Sequence, residues 1–477
     1  MALRPALRRL AGGVLLLSAA FACTEQPLAP AARSPIDAYK LGLSPLSRVR
    51  TRPDRYLVSF KSAEPGSFAS QVASLGGKVE RRFADMNLAV VKGIGASGAA
   101  TLAGDQAVEA VAQDLKIDFI PHPDPSSVFL KSLTSMTSRT PGTDQSGAFF
   151  YPFQYNIRQV RADQAWARST GGRGSLVCIL DTGIDPDHID FQGKLEPGLV
   201  TSFISDPLFA GDLDSLDYNF HGTATAGYIS TNGLGVASVA PDARLCSGKV
   251  LDVLGSGSFA DVIAGINWAA DNRADVINMS LGGTVDLSDP DARQVVRLLE
   301  RAILRANLKG SVVVASSGND AIDLDRDPRN LLVIPAQLPG VISVGAVAPV
   351  NQANFDGLAS YSNYGGRTGV DLMAPGGDRV DGGSDLDFLL APCSEYAIPG
   401  IELPFSCGPL SYLGIAGTSE SAPHVSGAAA VLKAKFGRVG LPALVQACLE
   451  RSADFIGPRA IFGSGRLDVL GAVGCRP

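Results

Sequence analysis

Four short runs of the chain are apolar on every residue rather than on alternate ones. They are Leu176–Leu180, Val276–Met279 (broken only by Asn278), Val312–Ala315 and Val341–Val344 (broken only by Ser343). Strands written this way cannot keep one face in water, so they belong to a parallel sheet covered by helices on both sides. Stretches of helical length and spacing lie between them, at Ala260–Asp271 and Asp291–Ala306. The region from Tyr151 to the C-terminus therefore predicts an α/β domain, a three-layer sandwich around a mainly parallel sheet.

In such sheets, chemistry sits at the C-terminal ends of strands. Asp181-Thr182-Gly183 follows the first apolar run directly. Alone it is weak, since a strand-end Asp often only caps a turn. His221-Gly222-Thr223 opens a helix of small residues and is one of only four histidines. Of the others, His122 falls in a Pro/Ser-rich stretch, His188 in a polar loop and His424 after Pro423. Gly417-Thr418-Ser419, in the box that runs to Gly427, opens a further helix that continues as Ala428–Lys433. A serine there is either an N-cap or a nucleophile beside backbone N–H groups that favour negative charge. Taken together the three are far more specific. A serine hydroxyl needs a base to remove its proton, histidine supplies the base, and a buried aspartate orients the imidazole.

The boxes Asp181-Thr-Gly, His221-Gly-Thr and Gly417-Thr-Ser419-x-x-x-Pro423-His resemble the three signature segments of the subtilisin-like serine proteases, from about Tyr151 to the end of the chain. The resemblance implies a serine endopeptidase in which Asp181 orients, His221 is general base and then general acid, and Ser419 attacks the peptide carbonyl. Ala315-Ser-Ser-Gly-Asn319 resembles the family's oxyanion segment, with Asn319 as side-chain donor. Ser280-Leu281-Gly282 and Gly255-Ser256-Gly257 are expected to flank an extended peptide substrate that adds as a strand. Asp371, with the carbonyls of Pro339 and Val341, matches a position able to hold a structural Ca²⁺, although a metal-free aspartate is an open alternative. No cofactor is required for the chemistry, and a monomer is expected.

The chain also departs from the family pattern. Ala224 stands where relatives often carry a further, non-catalytic histidine. Glu420 follows the nucleophile where methionine is common: a carboxylate is comfortable in a helix's first turn but could repel the oxyanion. Residues 377–413 form an insertion carrying Asp378, Asp381, Asp385, Asp387, Cys393 and Cys407. An alternative function is a surface binding protein on a retired protease scaffold, but that requires a broken triad and all its members are present. No Gly-x-Ser-x-Gly elbow surrounds Ser419, which disfavours other serine hydrolases.

Upstream, residues 55–120 parse as β-α-β-β-α-β, a ferredoxin-like order. Ser67 is the expected N-cap of the first helix. The block resembles the inhibitory propeptide of these proteases and would act as intramolecular inhibitor and chaperone. Residues 121–150, rich in Pro, Ser, Thr and Gly, are expected to be an exposed linker containing or adjoining the maturation site.

Residues 1–22 resemble an export signal: Arg4, Arg8 and Arg9 precede the short apolar run Leu10–Ala22. Ala20-Phe21-Ala22 suits simple secretion, and with Cys23 it also suits a bacterial lipobox, with residues 23–54 as a tether. Membrane contact is expected only through that lipid. Export permits disulfides among the six remaining cysteines. Cys393–Cys407 and Cys448–Cys475 are the expected bridges, whereas Cys178 and Cys246 could be bridged or free. With 41 basic against 47 acidic residues and a net charge of −6, nothing favours a nucleic-acid partner.

Overall fold

The computed structural model describes residues 49–476 apart from 121–127, 134–141, 327–329, 379, 381–382, 402 and 438–440. The export segment, residues 23–48 of the expected tether (Cys23 included), His122 and Asp381 lie outside the described residues, whereas residues 49–54, expected to be tether, are strand and belong to the N-terminal block.

The N-terminal block consists of β1 (Val49–Phe60), α1 (Phe68–Ser74), β2 (Lys78–Phe83), β3 (Leu88–Lys92), α2 (Ala96–Ala103) and β4 (Val108–Asp118). Its antiparallel sheet runs in the order β2-β3-β1-β4, as a ferredoxin-like pattern requires. Ser67 stands at the N-cap of α1, but its side chain makes no capping bond. Strand alternation divides this sheet between two cores. Val58, Phe60 and Val91 pack with Phe68, Val72 and Leu102 of the block's own helices. Leu57, Val90, Ala112, Leu115 and Ile117 enter a second core shared with the larger domain.

The larger domain supplies β5 (Phe129–Ser132), β6 (Leu176–Asp181), β7 (Leu195–Ser202), α3 (His221–Ile229), β8 (Arg244–Lys249) and β9 (Ser256–Ser258). It continues through α4 (Phe259–Asp271), β10 (Val276–Met279), β11 (Gly283–Asp286), α5 (Pro290–Leu308) and β12 (Val312–Ser316). It ends with β13 (Leu331–Ile334), β14 (Val341–Val347), β15 (Leu372–Pro375), β16 (Leu389–Pro392), β17 (Ser411–Ile415), α6 (Thr418–Phe436) and α7 (Pro442–Ser452). Seven of these strands form one parallel sheet, β15-β14-β12-β10-β6-β8-β7. β6 shows why its sequence is apolar throughout. Val177 and Ile179 pack with Ala226 and Ile229 of α3 and Ala422 and Val425 of α6. Cys178 and Leu180 pack on the opposite face with Ile263 and Ile266 of α4 and Val295 and Leu299 of α5. The three-layer expectation holds.

Both expected disulfides form, and Cys178–Cys246 is bridged as well, between directly opposed residues of β6 and β8. The expected linker also differs. Part of the 121–150 stretch is no exposed linker: Phe129–Ser132 pairs with β17 in a small sheet, β16-β17-β5, and Val128 and Leu133 are buried. Pro, Ser and Thr around it mask a four-residue strand whose anchors lie just outside its ends. The insertion supplies β16 and β17, and it packs on the helix that carries His221. Leu389 and Ala391 meet Phe220, Ala224 and Tyr228, and a Cβ on Gly227 would lie 2.2 Å from Pro392 Cδ.

Candidate active site

Asp181 is the last residue of β6, at the carboxyl edge of the sheet, and His221 is the first of α3. The two segments approach so closely that Gly222 can carry no side chain, since a Cβ there would sit 2.0 Å from the Gly183 carbonyl oxygen. The imidazole Nδ1 lies 2.8 Å from Asp181 Oδ1, and His221 is only 4% exposed. This bond places the proton on Nδ1 and leaves Nε2 as the basic nitrogen. Among the described residues, the buried Nε2 has no hydrogen-bond partner. Burial pulls the His221 pKa down, but Asp181, by charge and by hydrogen bond, together with Glu420 and Asp217, outweighs this and leaves it above the ordinary value.

Ser419 is the second residue of α6, 8% exposed. Its hydroxyl donates to the Ser280 carbonyl at 3.1 Å, while Ser280 Oγ donates to the Ser419 carbonyl at 2.8 Å. The hydroxyl is thus turned toward Ser280 rather than bonded to His221, a looseness common before substrate arrives. Asn319 lies beyond β12. Its Oδ1 accepts from both the N–H and the hydroxyl of Thr418, which aims the amide while leaving Nδ2 to donate. Asn319, Gly282, Ser316, Thr418, Ser419 and Phe119 line one cleft. Leu281 is buried in the core beneath it.

Among the anticipated substrate segments, Ser256 and Gly257 lie in β9 and Gly255 just before it. Here the structure adds something: β9 pairs antiparallel with β4 of the N-terminal block, and the N–H groups of Phe119 and Ile120 donate to the Gly255 carbonyl. The block's last strand therefore occupies the groove leading to Ser419.

Glu420 is 3% exposed, and burial pushes its carboxyl up to about 7, against the opposing pull of His221. Sequence reasoning missed Asp217. One of its oxygens accepts from Thr182 Oγ1 and the N–H groups of Asn219 and Phe220, the other from both donors of Thr223. It clamps the turn before His221 to the one after Asp181. Its only signal was an Asp four residues ahead of the His box.

Asp371, Pro339 and Val341 do line one cleft. Asp371 accepts from the Ser343 N–H at 2.9 Å, and burial raises its pKa to about 6. A half-buried carboxylate beside backbone carbonyls suits a hard cation, though among the described residues lining this cleft only one carboxylate is offered. Asp185, Asp187 and Glu395 also converge, but Asp185 is already engaged by the N–H groups of Asp187, His188 and Glu395.

The family model described as the subtilase family matches residues 172–465, more than half of the chain. The chain is a subtilase. This subtilase is 34% identical over 329 residues to the thermophilic serine proteinase of Bacillus sp. (strain AK1), covering 68% of each chain. It is 29% identical over 424 residues to subtilisin NAT of Bacillus subtilis subsp. natto, covering 88% of this chain and 90% of that one. In fold it resembles the epidermin leader peptide processing serine protease of Staphylococcus aureus, with a TM-score of 0.69, 21% identity, and coverage of 89% of this chain and 98% of the other. The subtilase is accordingly a serine-type endopeptidase on a subtilisin-like α/β fold.

Proposed function

We propose that Asp181, His221 and Ser419 are the catalytic triad of this endopeptidase, with Asn319 as oxyanion donor. The observation that carries the reading is the buried Asp181–His221 hydrogen bond, with Nε2 left unpartnered. Ser419 Oγ attacks the scissile carbonyl carbon as its proton passes to His221 Nε2. The oxygen, now negative, accepts from Asn319 Nδ2 and the Ser419 N–H. The C–N bond breaks as His221 returns the proton to the leaving amine, and water then hydrolyses the acyl-enzyme by the same route. No cofactor enters this scheme.

The same reading makes the N-terminal block an inhibitory propeptide removed by self-cleavage, and the protein an exported one, either free or held by a lipid on Cys23. The strand pairing between β4 and β9 supports the first part. Ser419→Ala is expected to abolish peptide hydrolysis and leave the full-length precursor uncut on a gel. Normal processing in that variant would remove the proposal. The mass of the N-terminal peptide of the processed and exported forms separates lipidation from simple secretion. A structural Ca²⁺ at Asp371, Pro339 and Val341 would act on stability alone, so thermal melting with and without a chelator tests it.

A further inference from the structure

Between Lys116 and Asp118 the block lies on β9 in a fixed register: Lys116 opposite Ser258, Ile117 opposite Gly257, Asp118 opposite Ser256. Alternate side chains of a strand point to opposite faces. Ile117 is fully buried against Gly283, where an added Cβ would come within 2.7 Å of Ile117 Cγ2. Lys116 reaches the other way, and its ammonium lies 2.7 Å from Asp252 Oδ2. With the block in place Asp252 is 1% exposed, and among the described residues Lys116 is the one cation within ion-pair distance of it. The carboxylate does not depend on the block for its position. Its Oδ1 accepts from the N–H groups of Leu254 and Ser256, so the turn that leads into β9 holds it in place. When the block leaves, a fixed carboxylate oxygen therefore remains beside the groove, uncovered where Lys116 had lain. A substrate with a neutral or acidic side chain at that register would cover the oxygen again without the cation that the block supplies there.

We propose that Asp252 is a specificity-determining residue that selects Lys or Arg in substrates at the register of Lys116, one position ahead of an apolar side chain at the register of Ile117. This rests on the peptidase reading above, with substrates lying along β9 as the block does. Asp206 and Asp261, also of the peptidase, are met by the block's Arg52, Arg55 and Arg81, so the neighbouring surface adds to the same attraction.

Peptides copying residues 113–124, with Lys, Ala or Glu at the position of Lys116, test this with the processed enzyme. kcat/KM is expected to fall about tenfold from Lys to Ala, the scale of one charged hydrogen bond, and further to Glu. Asp252→Asn keeps the oxygen that shapes the turn and is expected to bring the Lys and Ala peptides level. Equal kcat/KM for the three peptides in the wild type overturns the proposal, as does a Lys preference that survives Asp252→Asn. Should that variant lose the Ala peptide too, the wild-type Lys/Ala ratio at low and high salt decides: a ratio narrowing with salt supports the ion pair, an unchanged one overturns it. Cleavage of none of the peptides by the wild type would instead sink the peptidase reading.

Discussion

Glu420 occupies a place where a charge has consequences in two directions. It is the residue after the proposed nucleophile, and its carboxylate oxygen folds back to 2.6 Å from where a Gly417 Cβ would stand, a point 3.5 Å from Asn319 Nδ2. Asp181 and Asp217 also act on His221, while Tyr228 and Tyr361 feel the Glu420 charge. An ionised Glu420 raises the His221 pKa, so Glu420→Gln is expected to move the acid limb of the kcat/KM profile to lower pH by a fraction of a unit. A superimposable profile would show that Glu420 does not act on His221. Stability has its own sign. The folded pKa, about 7, exceeds the reference 4.5, so the folded state holds this proton more tightly. Stability linked to Glu420 is full below 4.5 and lost as pH rises through 7. The Gln variant should gain melting temperature over the wild type above pH 7 and show little advantage at pH 4.

At the scale of elements, the contact between the block and α4 turns on Arg55, whose side chain is fully buried. Its guanidinium meets Glu80 at 2.6 Å, Asp114 at 2.7 Å, Ser258 Oγ at 2.7 Å and Asp261 at 3.1 Å, the last two belonging to the peptidase. Asp114 in turn accepts from the Ala260 N–H in the first turn of α4. Removing one partner of such a cluster strands the others, at a cost of about 3–5 kcal/mol. Arg55→Met in the Ser419→Ala background is therefore expected to make the block at least tenfold faster to digest in limited proteolysis, a rate that an incidental contact would leave alone. Helices α4 and α5 were legible in the sequence because each has a wide apolar face. Their ends were less so: Pro290 and Phe259 both lie inside helices, each one residue earlier than the periodicity suggested.

For the molecule as a whole, the sheet and the site were readable for the same reason. Strands buried on both faces leave an unmistakable apolar run, and Asp181, His221 and Ser419 stand at element ends where short Gly- and Thr-rich boxes mark them. Less visible was anything depending on two distant segments meeting. Asp217 has no meaning until the turns before α3 and after β6 are brought together. The Cys178–Cys246 bridge needed the knowledge that β6 neighbours β8. The strand Phe129–Ser132 could not be seen at all without its partner β17, which lies nearly three hundred residues further on.

That strand changes what a single cut would mean. It sits downstream of the block and is stitched into the peptidase by β17 and by the buried side chains of Val128 and Leu133. Cleavage between Ile120 and Val128 would leave it in place and free only what precedes it. On the proposed propeptide reading, block and enzyme share one chain before the cut, so occupancy of the groove does not depend on how much protein is present. Afterwards the block would be a separate molecule, and the high effective concentration conferred by the covalent connection would be gone. Dilution alone then favours an open groove: crowded inside a cell the two halves would stay together, and in a large outside volume they would part.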